Sequence, residues 1–261
     1  GGLALTAPHH LALYLPALSI GGAERVMLNL AGAFAADGHR VDLVLDRRTG
    51  GFLSQVPAAV TLHDLAARRT VLAAPKLAQW LRRHRPAAML SALPHNNLTA
   101  IWARALAGLP MRLVLSEHLD WSALAGAPMR WIDHAVPPLM RLSYRRADAV
   151  VGVSAGVAAD VARRARLAPS AVTVIPNPIV TPGLLALAAE PLDHPWCSPS
   201  APPVLLGVGR LTAQTDFATL LPAFALLRRQ RAMRLVILGE GEERSALETL
   251  AAELQFGDEI L

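Results

Sequence analysis

The stretch "LALYLPALSIGGAERVMLNLAGAFAADGHRVDLVL" (residues 11–45) decides the fold, because it contains a strand, a glycine turn, a helix and a second strand. Residues 11–18 are almost entirely apolar, which is typical of a buried strand. Residues 23–38 have apolar side chains at helical spacing and end on Gly38, a common helix terminator. Residues 40–45 predict the next strand, so the whole unit is the repeating element of a parallel sheet.

The same alternation of strands and helices continues to residue 180. The predicted strands cover residues 60–65, 87–93, 111–118, 149–154 and 172–179, and the predicted helices cover residues 76–85, 97–107 and 155–167. This order predicts an α/β fold in which residues 1–180 form a complete Rossmann-like domain, with a doubly wound parallel sheet and helices on both faces.

A change of composition follows this region. Residues 181–202 contain five prolines and no hydrophobic period, which predicts a linker. The alternation then restarts, and residues 203–261 predict two strands and two helices. We therefore expect residues 203–261 to be the start of a second Rossmann-like domain, which is incomplete.

The bulk composition limits the classes of function. The net charge of +5 suits an anionic ligand, a membrane surface or nucleic acid. The sequence has no Lys/Arg-rich block with interleaved aromatic residues, so nucleic acid is excluded as a partner. The single cysteine, Cys197, excludes an internal disulfide framework and a cysteine metal site, and it favours a cytoplasmic location. No run reaches the about 18 apolar residues of a transmembrane helix.

Ligands of open parallel sheets bind beyond the carboxyl ends of the strands. The turn after the first predicted strand contains Gly21 and Gly22, which let a ligand approach the backbone, and the helix start that follows favours an anion. A tight turn without a ligand explains the same two glycines. The turn does not have the pattern G-x-G-x-x-G, so the sequence excludes a nicotinamide-dinucleotide enzyme.

Three later strand ends also carry polar residues. In "SEHLDW" (116–121), His118 either donates to a substrate oxygen or acts as an acid or base, or else makes a structural hydrogen bond. Asn96 and Asn97 either cap the next helix or contact a ligand. Ser154 is predicted to cap a helix.

The stretch "VLLGVGRLTAQTDFATLLPAFALL" (residues 204–227) reads as a strand, a glycine turn and a helix. Gly209 permits close approach to the backbone, and Arg210 has a forked set of donors that suits phosphate. A second glycine turn, "GEG" (239–241), ends the next strand and is expected beside the first. Two adjacent glycine turns indicate a site for a nucleotide diphosphate, and Asp216 is expected to cap the helix after the first turn.

Six motifs occur in order along nearly the whole chain: "GGAERVMLNLA", "SEH", "VVGVSAGV", "VIPNPI", "GVGRLTAQTDFATLLPAFALL" and "RLVILGEGEERSAL". Together they resemble the group 1 (family 4) retaining glycosyltransferases, whose GT-B fold has two facing Rossmann-like domains. The resemblance implies transfer of a sugar from a nucleotide-diphosphate sugar to a glycan or lipid-linked acceptor, with retention at the anomeric carbon. It also implies that no metal ion or other cofactor is needed.

On the donor side, the resemblance assigns roles to matching residues. Gly22 flanks the donor phosphates and Arg210 binds the diphosphate. Glu240 and Gly241 line the nucleotide side. Thr215 stands where the family usually has a lysine, which together with the arginine neutralises the leaving diphosphate.

On the acceptor side, the resemblance places His118 against the transferred sugar as the catalytic residue. Asn177, which lies between two prolines, falls in the hinge region between the domains. Asn97 and Ser154 belong to the same hinge or acceptor side.

Two departures from the family pattern predict an impaired protein. Thr215 removes one of the two charges at the diphosphate, and the chain stops at Leu261, before the two glutamates with which the family holds the donor sugar and ribose. We therefore expect a glycosyltransferase that is truncated within its donor domain and is impaired or inactive as this fragment. The alternative is a non-catalytic remnant that binds a nucleotide or a partner, and a nucleotide-sugar epimerase of the same architecture is less favoured.

A basic helix around Trp80 is the candidate for contact with a membrane. Trp80, Arg82, Arg83 and Arg85 predict peripheral contact with anionic lipid headgroups at the cytoplasmic membrane face. A charged face that is simply solvated explains the same residues, and it is slightly preferred.

Overall fold

The computed structural model describes residues 8–67, 72–120, 134–198 and 200–261. The chain separates into two compact units, and the division falls between Thr181 and Pro182. The bounds that we predict for the linker and for the second domain stay predictions.

The first unit is built around a parallel sheet of seven strands within the described residues. The strands are β1 (His10–Leu15), β2 (Arg40–Leu45), β3 (Val60–Asp64), β4 (Ala88–Ala92), β5 (Arg112–Glu117), β6 (Ala149–Gly152) and β7 (Val172–Val174). Their order in the sheet is β3-β2-β1-β4-β5-β6-β7, and all neighbours are parallel. The order reverses between β1 and β4, which creates the crevice where open α/β sheets bind ligands.

Helices cover both faces of this sheet. Those of the described residues are α1 (Gly22–Ala36), α2 (Ala73–His84), α3 (Pro94–Ala107), α4 (Val136–Ser143) and α5 (Ala155–Ala165). Leu13 of β1 packs in the same core as Met27 of α1. Its neighbour Tyr14 packs in a separate core with Leu77 of α2. Because consecutive strand residues point to opposite faces, both faces are buried and the predicted doubly wound arrangement is confirmed.

Two helix starts test the predicted caps. Ser154 accepts a hydrogen bond from the backbone N–H of Val157 at 3.2 Å, so the predicted cap of α5 is confirmed. Helix α3, in contrast, begins at Pro94, because proline is favoured at the first helical position. Asn96 and Asn97 therefore lie inside its first turn, so of the two alternatives for these residues, a helix cap or contact with a ligand, the cap is wrong.

The second unit repeats the strand–helix alternation on a smaller scale. Its elements are α6 (Pro182–Ala188), β8 (Val204–Val208), α7 (Phe217–Leu227), β9 (Arg234–Leu238) and α8 (Arg244–Glu253). Strands β8 and β9 are parallel. A core of large apolar side chains joins both strands to α7 and α8, including Leu221, Phe224, Leu235, Leu247 and Phe256.

The ends of these elements are held by specific hydrogen bonds. Asp216 caps α7 as predicted, because its carboxylate accepts from the backbone N–H of Thr219 at 3.3 Å. The last residue of the chain, Leu261, donates to the carbonyl of Leu235 at 3.0 Å and accepts from the N–H of Ile237 at 2.9 Å. The end of the chain therefore lies alongside β9.

Candidate functional site

The carboxyl edge of the seven-stranded sheet collects the residues that the sequence singles out in the first unit. Gly21 and Gly22 follow β1, Asn97 follows β4, His118 follows β5, Ser154 follows β6 and Asn177 follows β7. These five strands are neighbours in the sheet, so the fold brings the residues to one edge. A Cβ at position 22 would meet no described atom within 4 Å, which leaves open space beside the backbone.

A buried carboxyl group, that of Glu117, lies at this edge. Its Oε1 accepts hydrogen bonds from the Tyr144 hydroxyl and from Asn97 Nδ2, the latter at 2.8 Å. Burial raises the pKa of Glu117 to about 7, although both hydrogen bonds act in the opposite direction. Asn97 Nδ2 also donates to the carbonyl of Ser116 at 3.1 Å, so its side chain ties the start of α3 to the end of β5.

The next residue, His118, is half-buried. Its Nε2 lies 3.0 Å from Ser116 Oγ, which is the kind of structural hydrogen bond that the sequence left open. Burial lowers the pKa of His118 to about 4. The imidazole is therefore neutral at neutral pH, and it can serve as a hydrogen-bonding group without carrying a charge.

A second buried carboxyl group, that of Asp46, is one that the sequence did not indicate. It follows β2 and accepts hydrogen bonds from the Tyr14 hydroxyl and from Asn96 Nδ2, the latter at 3.3 Å. Burial is the main cause that raises the pKa of Tyr14. Consecutive helix residues point about 100° apart, so Asn96 and Asn97 reach two different carboxyl groups, those of Asp46 and Glu117. The pair of adjacent amides after a strand was the only available signal in the sequence.

In the second unit, the two glycine turns lie side by side, as predicted. The backbone N–H of Leu211 donates to the carbonyl of Glu240 at 2.9 Å. A Cβ at position 239 or 241 would overlap the backbone carbonyl group of Gly209 or Leu211, respectively, so the contact requires Gly239 and Gly241. Helices α7 and α8 each begin shortly after one of these turns, and helix starts favour an anion.

The first turn carries Arg210 and Thr215. The Arg210 side chain is exposed, and its guanidinium lies 3.3 Å from Gln214 Oε1. A Cβ at Gly209 would come within 2.8 Å of Thr215 Cγ2, so the methyl group of Thr215 faces the turn. The structure therefore places position 215 and Arg210 at the same turn.

The second turn carries a charge that the sequence did not single out. Arg244 Nη2 lies 2.6 Å from Glu240 Oε1, and Arg244 Nη1 lies 3.1 Å from Glu248 Oε1. Hydrogen bonds from Arg244 lower the pKa of Glu240. Glu240 is thus paired and exposed, and Arg244 brings a second guanidinium group to the turns.

Helix α2 turns its tryptophan inward. Trp80 is only 8% exposed and stacks on His84 with the ring centroids 4.4 Å apart. The interpretation of Trp80 as an interfacial residue is therefore wrong, whereas Arg82, Arg83 and Arg85 are exposed. In the part of the chain that the structure describes, none of the helices combines the length and the apolar content that a membrane crossing requires.

Solved structures share the fold of the chain. It is similar to the lipopolysaccharide outer core galactosyltransferase WaaB in its apo form, with 18% identity and a TM-score of 0.63 over 96% of this chain and 66% of that one. For HepE from Anabaena in complex with UDP and glucose, the identity is 14% and the TM-score 0.67, over 97% and 68% of the two chains. For sucrose-phosphate synthase from Thermosynechococcus elongatus the identity is 18% and the TM-score 0.70, over 96% of this chain and 69% of that one. The chain thus spans about two thirds of the length of these proteins.

Family models agree with these structures. No curated protein has a sequence that matches the chain. Residues 20–181 match the model for Glycosyltransferase Family 4, and residues 193–261 match the model for Glycosyl transferases group 1. With its parallel α/β units and the solved structures that share its GT-B-like fold, the chain belongs to the group 1, family 4 glycosyltransferases.

Proposed function

We propose that the protein is a retaining glycosyltransferase, which moves a sugar from a nucleotide-diphosphate sugar to a glycan or lipid-linked acceptor. The observation that carries this proposal is the pair of glycine turns in the second unit, where Gly239 and Gly241 let two backbone segments touch. Two helix starts lie at these turns, and Arg210 adds a forked guanidinium group. The helix starts and the guanidinium group favour a diphosphate over a neutral ligand.

The leaving diphosphate needs positive charge in the transition state. We infer that Arg210 and the N–H groups at the starts of α7 and α8 provide it, so that no metal ion or other cofactor is required. Because Arg210 is exposed and, among the described residues, makes one hydrogen bond, to Gln214 at 3.3 Å, its guanidinium is able to turn toward a phosphate at little cost. In the first unit, Gly22 leaves open space after β1, and we infer that a ligand is able to approach the backbone there.

His118 is proposed to contact the transferred sugar. Its low pKa keeps the imidazole neutral, so it exchanges hydrogen bonds with sugar oxygens and does not form an ion pair with the diphosphate. One well-placed hydrogen bond of this kind in a transition state is worth roughly 2–4 kcal/mol, which is on the order of a hundredfold in rate.

Calorimetric titration of the 261-residue chain tests the diphosphate site. UDP is the first probe, because the similar HepE structure contains it, and GDP is the second. Arg210→Ala should weaken binding by about 1–3 kcal/mol, since it removes a charged donor. Arg231→Ala is the matched control, because Arg231 is exposed and precedes β9 at the opposite end of that strand. Equal losses in the two variants, or no binding by any of the three proteins, would overturn the proposed site.

A nucleotide-binding module without transfer activity is the second candidate function. The observation that favours it is Thr215, which gives the first turn a neutral side chain next to Arg210. A sugar-transfer assay with UDP-glucose separates the two candidates. Sugar transfer would exclude the non-catalytic module.

A further inference from the structure

The two ring nitrogen atoms of His118 have different surroundings. Nε2 lies 3.0 Å from Ser116 Oγ, whereas Nδ1 is enclosed and has no hydrogen-bond partner among the described residues. A neutral imidazole carries one proton, which must reside on one of these two atoms. The surroundings therefore decide which tautomer is the more stable.

Burial disfavours a proton on Nδ1. An enclosed N–H group without an acceptor loses a hydrogen bond to water and gains none, and such orphaned donors are rare in proteins. An enclosed lone pair is tolerated better. The proton therefore resides on Nε2, and the Nε2–H group donates to Ser116 Oγ.

This direction also determines what Ser116 can do. A serine hydroxyl accepts hydrogen bonds and has one proton of its own to donate. When Oγ accepts from His118, that proton remains available for another acceptor at the carboxyl edge of the sheet. Nε2–H is then the one donor of the neutral His118 imidazole.

We propose that Ser116 is the positioning residue for His118: its Oγ holds the imidazole in the Nε2–H tautomer, and Nε2–H is then the donor that His118 offers to an oxygen of the bound sugar. The part that concerns the sugar rests on the proposed function. The part that concerns the tautomer rests on the surroundings of Ser116 and His118 alone.

Nuclear magnetic resonance of the 261-residue chain with nitrogen-15 in its imidazole groups tests the tautomer directly. For His118, Nε2 should resonate in the range of protonated nitrogen and Nδ1 in the range of unprotonated nitrogen. A protonated Nδ1 and an unprotonated Nε2 in the wild-type chain would overturn the proposal. This measurement requires no variant.

Titration of His118 in variants tests the direction of the hydrogen bond. An Nε2–H donor bonds more strongly when the imidazole is charged, so Ser116→Ala should lower the pKa of His118 below its wild-type value of about 4. If Ser116 instead donated to Nε2, the same change would raise the pKa, which would sink the proposal. Ser116→Thr, which keeps the hydroxyl, should restore the wild-type signals.

The matched control is Ser91→Ala. Ser91 is a buried serine on the neighbouring strand β4, and its hydroxyl has no partner among the described residues. The Ser91→Ala variant should leave the His118 signals unchanged. In a sugar-transfer assay, failure of His118→Ala to lower turnover would overturn the functional assignment of His118 while the tautomer result stands, so the two failures are distinguishable.

Discussion

At the scale of one residue, the neutral side chain of Thr215 is predicted to weaken the proposed diphosphate site. Thr215 lies at the turn that carries Arg210 and brings no charge to it, and charge-assisted hydrogen bonds are roughly twice as strong as neutral ones. We therefore expect Thr215→Lys to tighten UDP binding by about 1–3 kcal/mol, measured by calorimetry. Gln230→Lys adds the same charge at an exposed position beyond the other end of α7 and is the matched control. Equal affinity of Thr215→Lys and the wild type would show that position 215 does not face the phosphates.

Another residue, Glu117, gives the stability of the fold a dependence on pH. Burial raises its pKa to about 7 in the folded chain, from an ordinary value of 4.5. Between pH 4.5 and pH 7 the folded state therefore binds more protons than the unfolded state. The contribution of Glu117 to the free energy of unfolding is complete below pH 4.5 and is lost as the pH rises through 7. Glu117→Gln removes this loss. As the pH rises from about 5 to about 8, the free energy of unfolding of the variant should increase relative to that of the wild type. The increase should be at most about 3 kcal/mol.

Urea unfolding of both proteins over this pH range measures the difference. The contribution of His118 has the opposite sign, because its pKa is lowered from 6.5 to about 4: it is present above 6.5 and is lost as the pH falls through 4. Since the wild type and Glu117→Gln both keep His118, the difference between them isolates Glu117. A difference that stays constant with pH would show that Glu117 titrates normally.

At the scale of one element, the start of α3 joins neighbouring strands. Asn97 donates to Glu117 at 2.8 Å within the buried part of the fold, so Asn97→Ala leaves the carboxyl group short of a partner and should cost roughly 1–3 kcal/mol of stability. Asn29 is the control, because its bond to the carbonyl of Pro178 is exposed. Asn29→Ala should change stability by no more than about 0.5 kcal/mol. Equal effects in thermal or urea unfolding would contradict the role assigned to α3.

At the scale of the whole molecule, the second unit exposes one face of its sheet. Leu206, Val208 and Leu238 are 57%, 69% and 53% exposed, while α7 and α8 pack on the other face. Exposed apolar strands favour association between copies, so the chain should self-associate at concentrations on the order of tens of micromolar. Sedimentation velocity measures this association. Val208→Lys should weaken it, whereas Leu142→Lys, at a side chain that is 71% exposed in the first unit, should not. A wild-type chain that stays monomeric would refute the expectation.

Much of the fold was predictable because its signals are local. Helical and strand periods, the glycines of the turns and the caps at Ser154 and Asp216 are properties of short stretches, and the structure confirms them. The alternative in which Asn96 and Asn97 cap the helix is wrong for a local reason as well, since Pro94 already supplies a favoured helix start. The pairing of the two glycine turns followed from the rule that parallel strands end at the same edge.

The sequence by itself determined the alternation of strands and helices, the doubly wound sheet and the family of the chain. Only the tertiary structure decided which polar groups are buried and what they bind. Asn96 reaches Asp46 across 50 residues of sequence, and Asn97 reaches Glu117 across 20. The burial of Trp80 is likewise decided by the face that α2 turns to the sheet. Such contacts depend on the order of the strands in space, and no short stretch of sequence specifies that order.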